Sequence, residues 1–265
     1  YKEVSGIISR VCAICSSGHT LCALGAIVAA LDIPVSAPVQ RYRDLLNLGQ
    51  IIESHALHLF CLALPDYLGY SGVLEMAQYY PEEVGKALEV KRVGNAIQLV
   101  VGGRAIHPVN MIIGGLGLKP KSKDLSALAD ELAVARQETL SLTEFVRQLP
   151  IPDFPLEQAT YVALLPGEGL YGFEGTMLGA GGHDSILVDD FRSRVHESVV
   201  GHSTAKQSHY AKEPFMVGAI ARMVLNGEYM VGVGAKIRDQ LLPDRPTPLH
   251  NNLAQFVELV WALDR

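Results

Sequence analysis

The 265-residue chain carries 22 Lys and Arg against 28 Asp and Glu, a formal charge of −6, with 49% apolar and 19% charged residues. That balance excludes a disordered polyelectrolyte, and the lack of any Lys/Arg block argues against a nucleic-acid partner. A chain this long buries a core without disulfide staples, and its apolar runs, such as Ile97–Val101 and Met111–Ile113, are too short to span a bilayer.

Residues 1–11 read as a short lead-in. From Ser17 to Leu31 the apolar spacing is helical, and Asp32-Ile33-Pro34 ends it. Pro38 can open a long helix reaching about Leu64, with Leu45, Leu48, Ile52, Leu59 and Leu62 as its apolar stripe and Pro65-Asp66 as its stop. A further helix is expected from Pro81 to about Val100, broken by Gly102-Gly103. Residues 102–120, rich in Gly and Pro, read as an ordered, irregular loop. Ser122 or Asp124 can cap the next helix, which runs to about Leu149 before Pro150, Pro152 and Pro155. Frequent glycines and short β-forming runs between Ala159 and Val188 predict a β-rich excursion. Helical spacing returns after Asp189, at Pro214–Leu225, near Ala235–Leu242 and at Asn251–Leu263. The expected fold is mostly α and multi-helical with a small β-rich insertion, an α+β chain. It is read as a single domain over 1–265, incomplete at both ends: a helical core over 1–150, the β-rich excursion over 151–190, and a helical part over 191–265.

The strongest local feature is Arg10 to His19, which spells R-x-C-x-x-C-x-x-x-H. Thiolates three residues apart can converge on one soft metal ion. His19, four residues after Cys15, falls one helical turn above the second sulfur. By itself C-x-x-C leaves three readings open: half of a zinc site, a dithiol redox pair, or no function. A structural zinc site needs further ligands, and there is no second C-x-x-C or C-x-x-H. A thioredoxin-like dithiol wants a βαβ context, and none is visible. Cys22 and Cys61 read as small core residues, and His55 and His58 as ordinary helix histidines. His196, Glu197 and His202 do not make H-E-x-x-H. Ser203 to Lys206 matches S-x-x-K without its companions, and Gly114-Gly115-Leu-Gly117 has no phosphate-loop spacing.

Several segments, in order, resemble the large subunits of nickel–iron hydrogenases. Arg10 to His19 is similar to that family's first cysteine motif, with Ala13 in place of Gly. Ser54-His55-Ala-Leu-His58 with Leu64-Pro-Asp66-Tyr-Leu-Gly69 resembles its long-helix segment. Gly103-Arg104-Ala-Ile-His107-Pro108 and Gly114-Gly115 resemble its G-R-x-x-H-P loop. His202 to Lys206, Tyr210 and Pro214 to Arg222 resemble its H-S-x-A-K and P-x-x-V-G-x-x-A-R segments. Ser54 stands where membrane-bound members carry Asp, which points to the class that passes electrons to nicotinamide or deazaflavin carriers.

The resemblance implies nickel held by four cysteine thiolates, two of them bridging to an iron that carries carbon monoxide and cyanide, and heterolytic cleavage of H2 there. Cys12 would be the terminal nickel ligand, Cys15 the bridging one, and His19 a partner tuning the sulfurs, so that Cys12, Cys15 and His19 form the catalytic set. Arg10, Arg104 and His107 would stand around the cofactor or near the partner face. Electrons would leave through an iron–sulfur small subunit to electron-acceptor subunits, since four cysteines leave none for clusters. The family's second cysteine motif is not in this sequence, so the chain by itself is expected not to hold the centre. The C-x-x-C chemistry suits a reducing compartment, and the expected location is cytoplasmic. The alternatives are a complex I quinone-site subunit homologue without nickel, a zinc-binding module completed by another chain, and a dithiol redox protein.

Overall fold

The computed structural model describes residues 1–153, 160–167 and 171–265, so Pro155 and Ala159 of the sequence reading lie outside the described residues. The chain forms two compact units, one of Tyr1–Phe145 with Ala262–Arg265 and one of Val146–Trp261.

In the first unit the lead-in is itself a short helix, α1 (Val4–Ile8), followed by α2 (Ser16–Ala30) and α3 (Ala37–Ala56). Pro38 sits in the first turn of α3, where its missing N–H costs nothing. The helix does not stop at Pro65. It widens into a π-helical stretch, Leu57–Ala63, and continues as α4 (Leu64–Leu68), which ends at Gly69 with φ +78°. Pro65 lies in the first turn of α4, and the wider π turn ahead of it absorbs the ladder bond that proline cannot donate. α5 (Val73–Met76) and α6 (Pro81–Gly102) follow. α7 (Ser122–Ser141) and α8 (Thr143–Arg147) close the helical series. Neither Ser122 nor Asp124 caps α7; Lys121 precedes it in extended conformation, with no side-chain cap bond.

α3 and α6 pack against each other through glycine. A Cβ on Gly94 would fall 2.5 Å from Glu53 N and 2.7 Å from Gly49 O, and one on Gly49 would fall 2.8 Å from Ile97 Cγ2. Only bare backbone permits that approach. The buried face of α3 consists of Arg43, Leu46, Gly49, Gln50, Ile52, Glu53, His55 and Ala56. It is rotated from the expected stripe: Leu45 and Leu48 are only half-buried, and Leu62, beyond α3, is 56% exposed. Apolarity alone misplaced the face because Gln50 and Glu53 lie on it.

The Gly- and Pro-rich loop is folded around one side chain. Asn110 Nδ2 donates to the carbonyls of Val101 and Leu118, both at 2.8 Å, and its Oδ1 accepts from Leu118 N at 2.7 Å. Within it a minimal hairpin pairs β1 (Met111–Ile112) with β2 (Gly115–Leu116). Outside the α3–α6 crossing, Arg92 bridges Glu89 of α6 and Glu131 of α7.

The second unit carries the strands β3 (Thr160–Leu165), β4 (Met177–Ala180) and β5 (His183–Leu187) in the expected β-rich stretch. Strands continue past 190, however. After the single turn α9 (Phe191–Arg194) come β6 (Val195–Ser198), β7 (Gln207–Tyr210) and β8 (Phe215–Met216). The expected helical character of 191–265 holds only from Ala219 onward. The reason is pairing: β6 and β7 form an antiparallel ribbon in which Val195 opposes Tyr210, and both pack into the cluster of Val162, Leu178 and Ala180. A four-stranded sheet has the order β5-β4-β3-β8, antiparallel except for the parallel pair β3–β8. α10 (Ala219–Asn226), α11 (Gly232–Leu241) and α12 (Asn251–Asp264) complete the chain. Asn226 Nδ2 donates to Leu164 O at 2.8 Å, tying α10 to β3.

The polar anchor of this unit is buried. Arg222 Nε and Nη2 donate to Glu258 at 2.6 and 2.8 Å, and the Tyr171 hydroxyl donates to the same carboxylate. The guanidinium lies over the ring of Phe173, 5.0 Å from its centroid, and Tyr171, Phe173 and Trp261 meet edge to face. Among the described residues no helix is long and apolar enough to cross a membrane.

Candidate metal-ligand site on the cysteine turn

Cys12 lies in the turn between α1 and α2, and Cys15 is the residue from which α2 starts. The backbone N–H of Cys15 donates to Cys12 Sγ at 3.4 Å, so the turn brings the two sulfurs together. One turn into α2, His19 Nε2 stands 3.2 Å from Cys15 Sγ. All three side chains are partly buried.

The two thiols are unequal. The hydrogen bond from the Cys15 thiol, with the Cys15 backbone N–H next, holds Cys12 below the ordinary thiol range. Burial, with the Cys12 contact second, pushes Cys15 up to about 11. The first proton to leave the pair therefore leaves Cys12.

His107 is brought to the same place from far along the chain. Its backbone N–H donates to Ser16 Oγ at 3.0 Å, and its Nδ1–H donates to Ser9 O at 2.9 Å. It adopts φ +56°, a left-handed conformation that these two bonds hold in place. Ser9 and Ser16 are almost fully buried. Arg10 and Arg104 are exposed; the Arg10 guanidinium turns back to the carbonyl of Gly6 in α1. Cys22, expected in the core, is exposed, because its position on α2 faces away from Leu24 and Ile27, while Cys61 is partly buried.

Behind the turn lie polar groups that apolar periodicity did not single out. Gly18 N donates to Gln50 Oε1 at 2.5 Å, and Ser17 Oγ donates to Gln98 Oε1 at 2.7 Å. Glu53 is 5% exposed with Lys91 Nζ 3.4 Å away, and burial raises its carboxyl above the usual range against the pull of Lys91. No local pattern in the sequence marks them, because these positions of α3 and α6 become buried only when the helices pack.

The nickel-dependent hydrogenase family matches residues 1–85, which include Cys12, Cys15 and His19. The chain is 36% identical, over its full length, to both sulfhydrogenase 1 subunit alpha and sulfhydrogenase 2 subunit alpha of Pyrococcus furiosus. This chain is therefore similar to hydrogenase alpha subunits. It spans 62% of the length of each of those two relatives. The fold agrees: the crystal structure of an NAD+-reducing NiFe hydrogenase in the H2-reduced state superposes with TM-score 0.90 at 21% identity, covering 99% of this chain and 65% of that one. The mainly helical α+β architecture is thus the fold of hydrogenase large subunits.

The donor chemistry of the turn fits a nickel–iron centre as half of a ligand set. Two soft sulfurs suit nickel, and among the described residues no group of three or more His, Cys, Asp or Glu is placed to hold a metal ion.

Proposed function

We propose that the chain supplies the first two of four thiolate ligands of a nickel–iron centre, and that the intact enzyme is a hydrogenase catalysing reversible heterolytic cleavage of H2. The observation that carries this reading is the adjacency of Cys12 and Cys15 through the 3.4 Å bond from Cys15 N, with His19 3.2 Å from the second sulfur. Cys12 and Cys15 would hold the nickel through their thiolates. Heterolytic cleavage of H2, overall to two protons and two electrons, is the chemistry that such a centre, with its carbon monoxide and cyanide ligands, would supply when bound.

The residues of this chain hold and orient. His19, beside Cys15 Sγ, shares a proton with that sulfur and sets its basicity. His107 pins the start of α2 to the end of α1 through Ser16 and Ser9. Arg10 and Arg104, both exposed, are proposed to meet the partner face. The partner is an iron–sulfur small subunit, with electron-acceptor subunits beyond it, and the assembly is cytoplasmic. The relation to sulfhydrogenase alpha subunits supports a multi-subunit enzyme of this kind.

Metal analysis of the full-length large subunit, purified with its small subunit, tests the reading. Nickel and iron together are expected, both lost from the Cys12→Ser and Cys15→Ser proteins. Zinc alone, or no metal with a reversible Cys12–Cys15 disulfide, would replace it with the structural-zinc or dithiol reading.

A further inference from the structure

α2 begins without a side-chain cap of its own. The first N–H groups of any helix lack intrahelical partners and must find them elsewhere. Here other helices supply what the local sequence does not. The Gly18 N–H, in the first turn, is taken by Gln50 of α3 at 2.5 Å, and the neighbouring Ser17 hydroxyl is taken by Gln98 of α6 at 2.7 Å. Both glutamines are buried, at 8% and 1% exposure. A buried amide is costly unless it is hydrogen-bonded, and an apolar residue would pack in a helix–helix seam without that demand. The α3–α6 crossing that carries them is itself fixed by the close approach at Gly49 and Gly94. The backbone at 18 is matched to its partner: a Cβ there would stand 3.1 Å from Gln50 Nε2 and 3.4 Å from Oε1.

We propose that Gln50 is a positioning residue for the thiol pair: its amide oxygen, bonded to Gly18 N–H, sets where the first turn of α2 holds Cys15 and His19, with Gln98 as the second anchor. The effect on the metal rests on the function proposed above; the clamp itself does not. Without the Gln50 bond the turn is free to shift, and a donor displaced by a fraction of an ångström is a poorer ligand.

The test uses the full-length large subunit with its small subunit. Gln50→Met removes the acceptor at similar volume, Gln50→Glu keeps it, and Gly18→Ala pushes it away. Three quantities are read: hydrogen exchange at the residue-18 amide, the nickel electron paramagnetic resonance signal, and kcat and KM for H2. In Gln50→Met the amide should exchange at least about tenfold faster, the nickel signal should shift, and kcat should fall about tenfold with little change in KM. Gln50→Glu should restore amide protection and signal, which a merely structural role would not require. If Gln50→Met does not fold, Gly18→Ala should reproduce the faster exchange and shifted signal. Unchanged amide protection and signal in the first variant, or no recovery in Gln50→Glu, would overturn the proposal. A wild-type protein without nickel sinks the proposed function instead, and the amide exchange then still decides the clamp.

Discussion

Cys15 Sγ and His19 Nε2 lie 3.2 Å apart, one turn along α2, so the imidazole is coupled to the second thiol of the pair. Removing a group that hydrogen-bonds a metal-ligating side chain typically costs 10–100-fold. In the full-length enzyme His19→Ala should lower H2-dependent dye reduction about 10–100-fold at unchanged nickel content. His19→Gln, which keeps a donor, should lose less. Equal losses in the two variants would mean that the ring acts through packing.

The four cysteines should separate by function. On the proposed function, Cys12→Ser and Cys15→Ser in the full-length enzyme should each abolish H2 uptake, because serine is a hard, poorly acidic substitute for thiolate. Cys61→Ala, at a partly buried position in the π-helical stretch, should cost about 1 kcal/mol in urea unfolding. Cys22→Ala, on the surface, should stay within about 0.5 kcal/mol of wild type. Lost activity in a folded Cys22→Ala protein would contradict this division.

Gly94→Ala probes the helix crossing. Its Cβ would meet the backbone of Glu53 and Gly49 below 3 Å, and backbone cannot rotate away as a side chain can. Overpacking of this kind costs about 1–3 kcal/mol. Denaturant midpoints for Gly94→Ala and for Gly85→Ala, a helical position with nothing within 4 Å of the new atom, should differ by that amount in favour of the latter.

Glu53 links stability to pH. Burial raises its folded-state carboxyl above the unfolded value, so the folded chain binds the proton more tightly. Stability from this group is therefore fully present below the ordinary carboxylate range and is lost as pH rises through the raised folded value. Glu53→Gln should unfold at higher temperature than wild type at neutral pH, with the gap closing as pH falls below about 4. Thermal melts across pH 3.5–8 (about that range) check the sign; a gap that widens in acid would show that Lys91 more than offsets burial.

In the second unit the Arg222–Glu258 pair should tolerate joint removal better than single removal. Glu258 is fully buried, so Arg222→Met takes the guanidinium away from a buried charge, and about 3–5 kcal/mol should be lost. The double variant Arg222→Met/Glu258→Leu should recover part of that loss in a double-mutant cycle. Additive losses would mean that the two groups do not depend on each other.

Much of the helical framework was legible because it is local. Proline at the start of α3 and α6, left-handed glycines at their ends or shortly beyond, and apolar spacing located most helices within a few residues. The π-helical stretch and the continuation through Pro65 were not legible, because a proline reads as a stop unless the preceding turn can widen. The strands β6 to β8 were missed for a similar reason. Segments of two to four residues carry no periodicity of their own and become strands only by pairing.

The sequence by itself determined the chemistry of the cysteine turn: the spacing of Cys12, Cys15 and His19 brings two sulfurs and an imidazole within one loop and one helical turn, whatever surrounds them. Only the tertiary structure decided what holds that turn. Its partners are Gln50, Gln98 and His107, separated from it in sequence by 32, 81 and 91 residues. Which face of α3 is buried, and so which polar side chains reach the start of α2, depends on a helix crossing set by two glycines. Such a contact is a property of packing, and no local pattern encodes it.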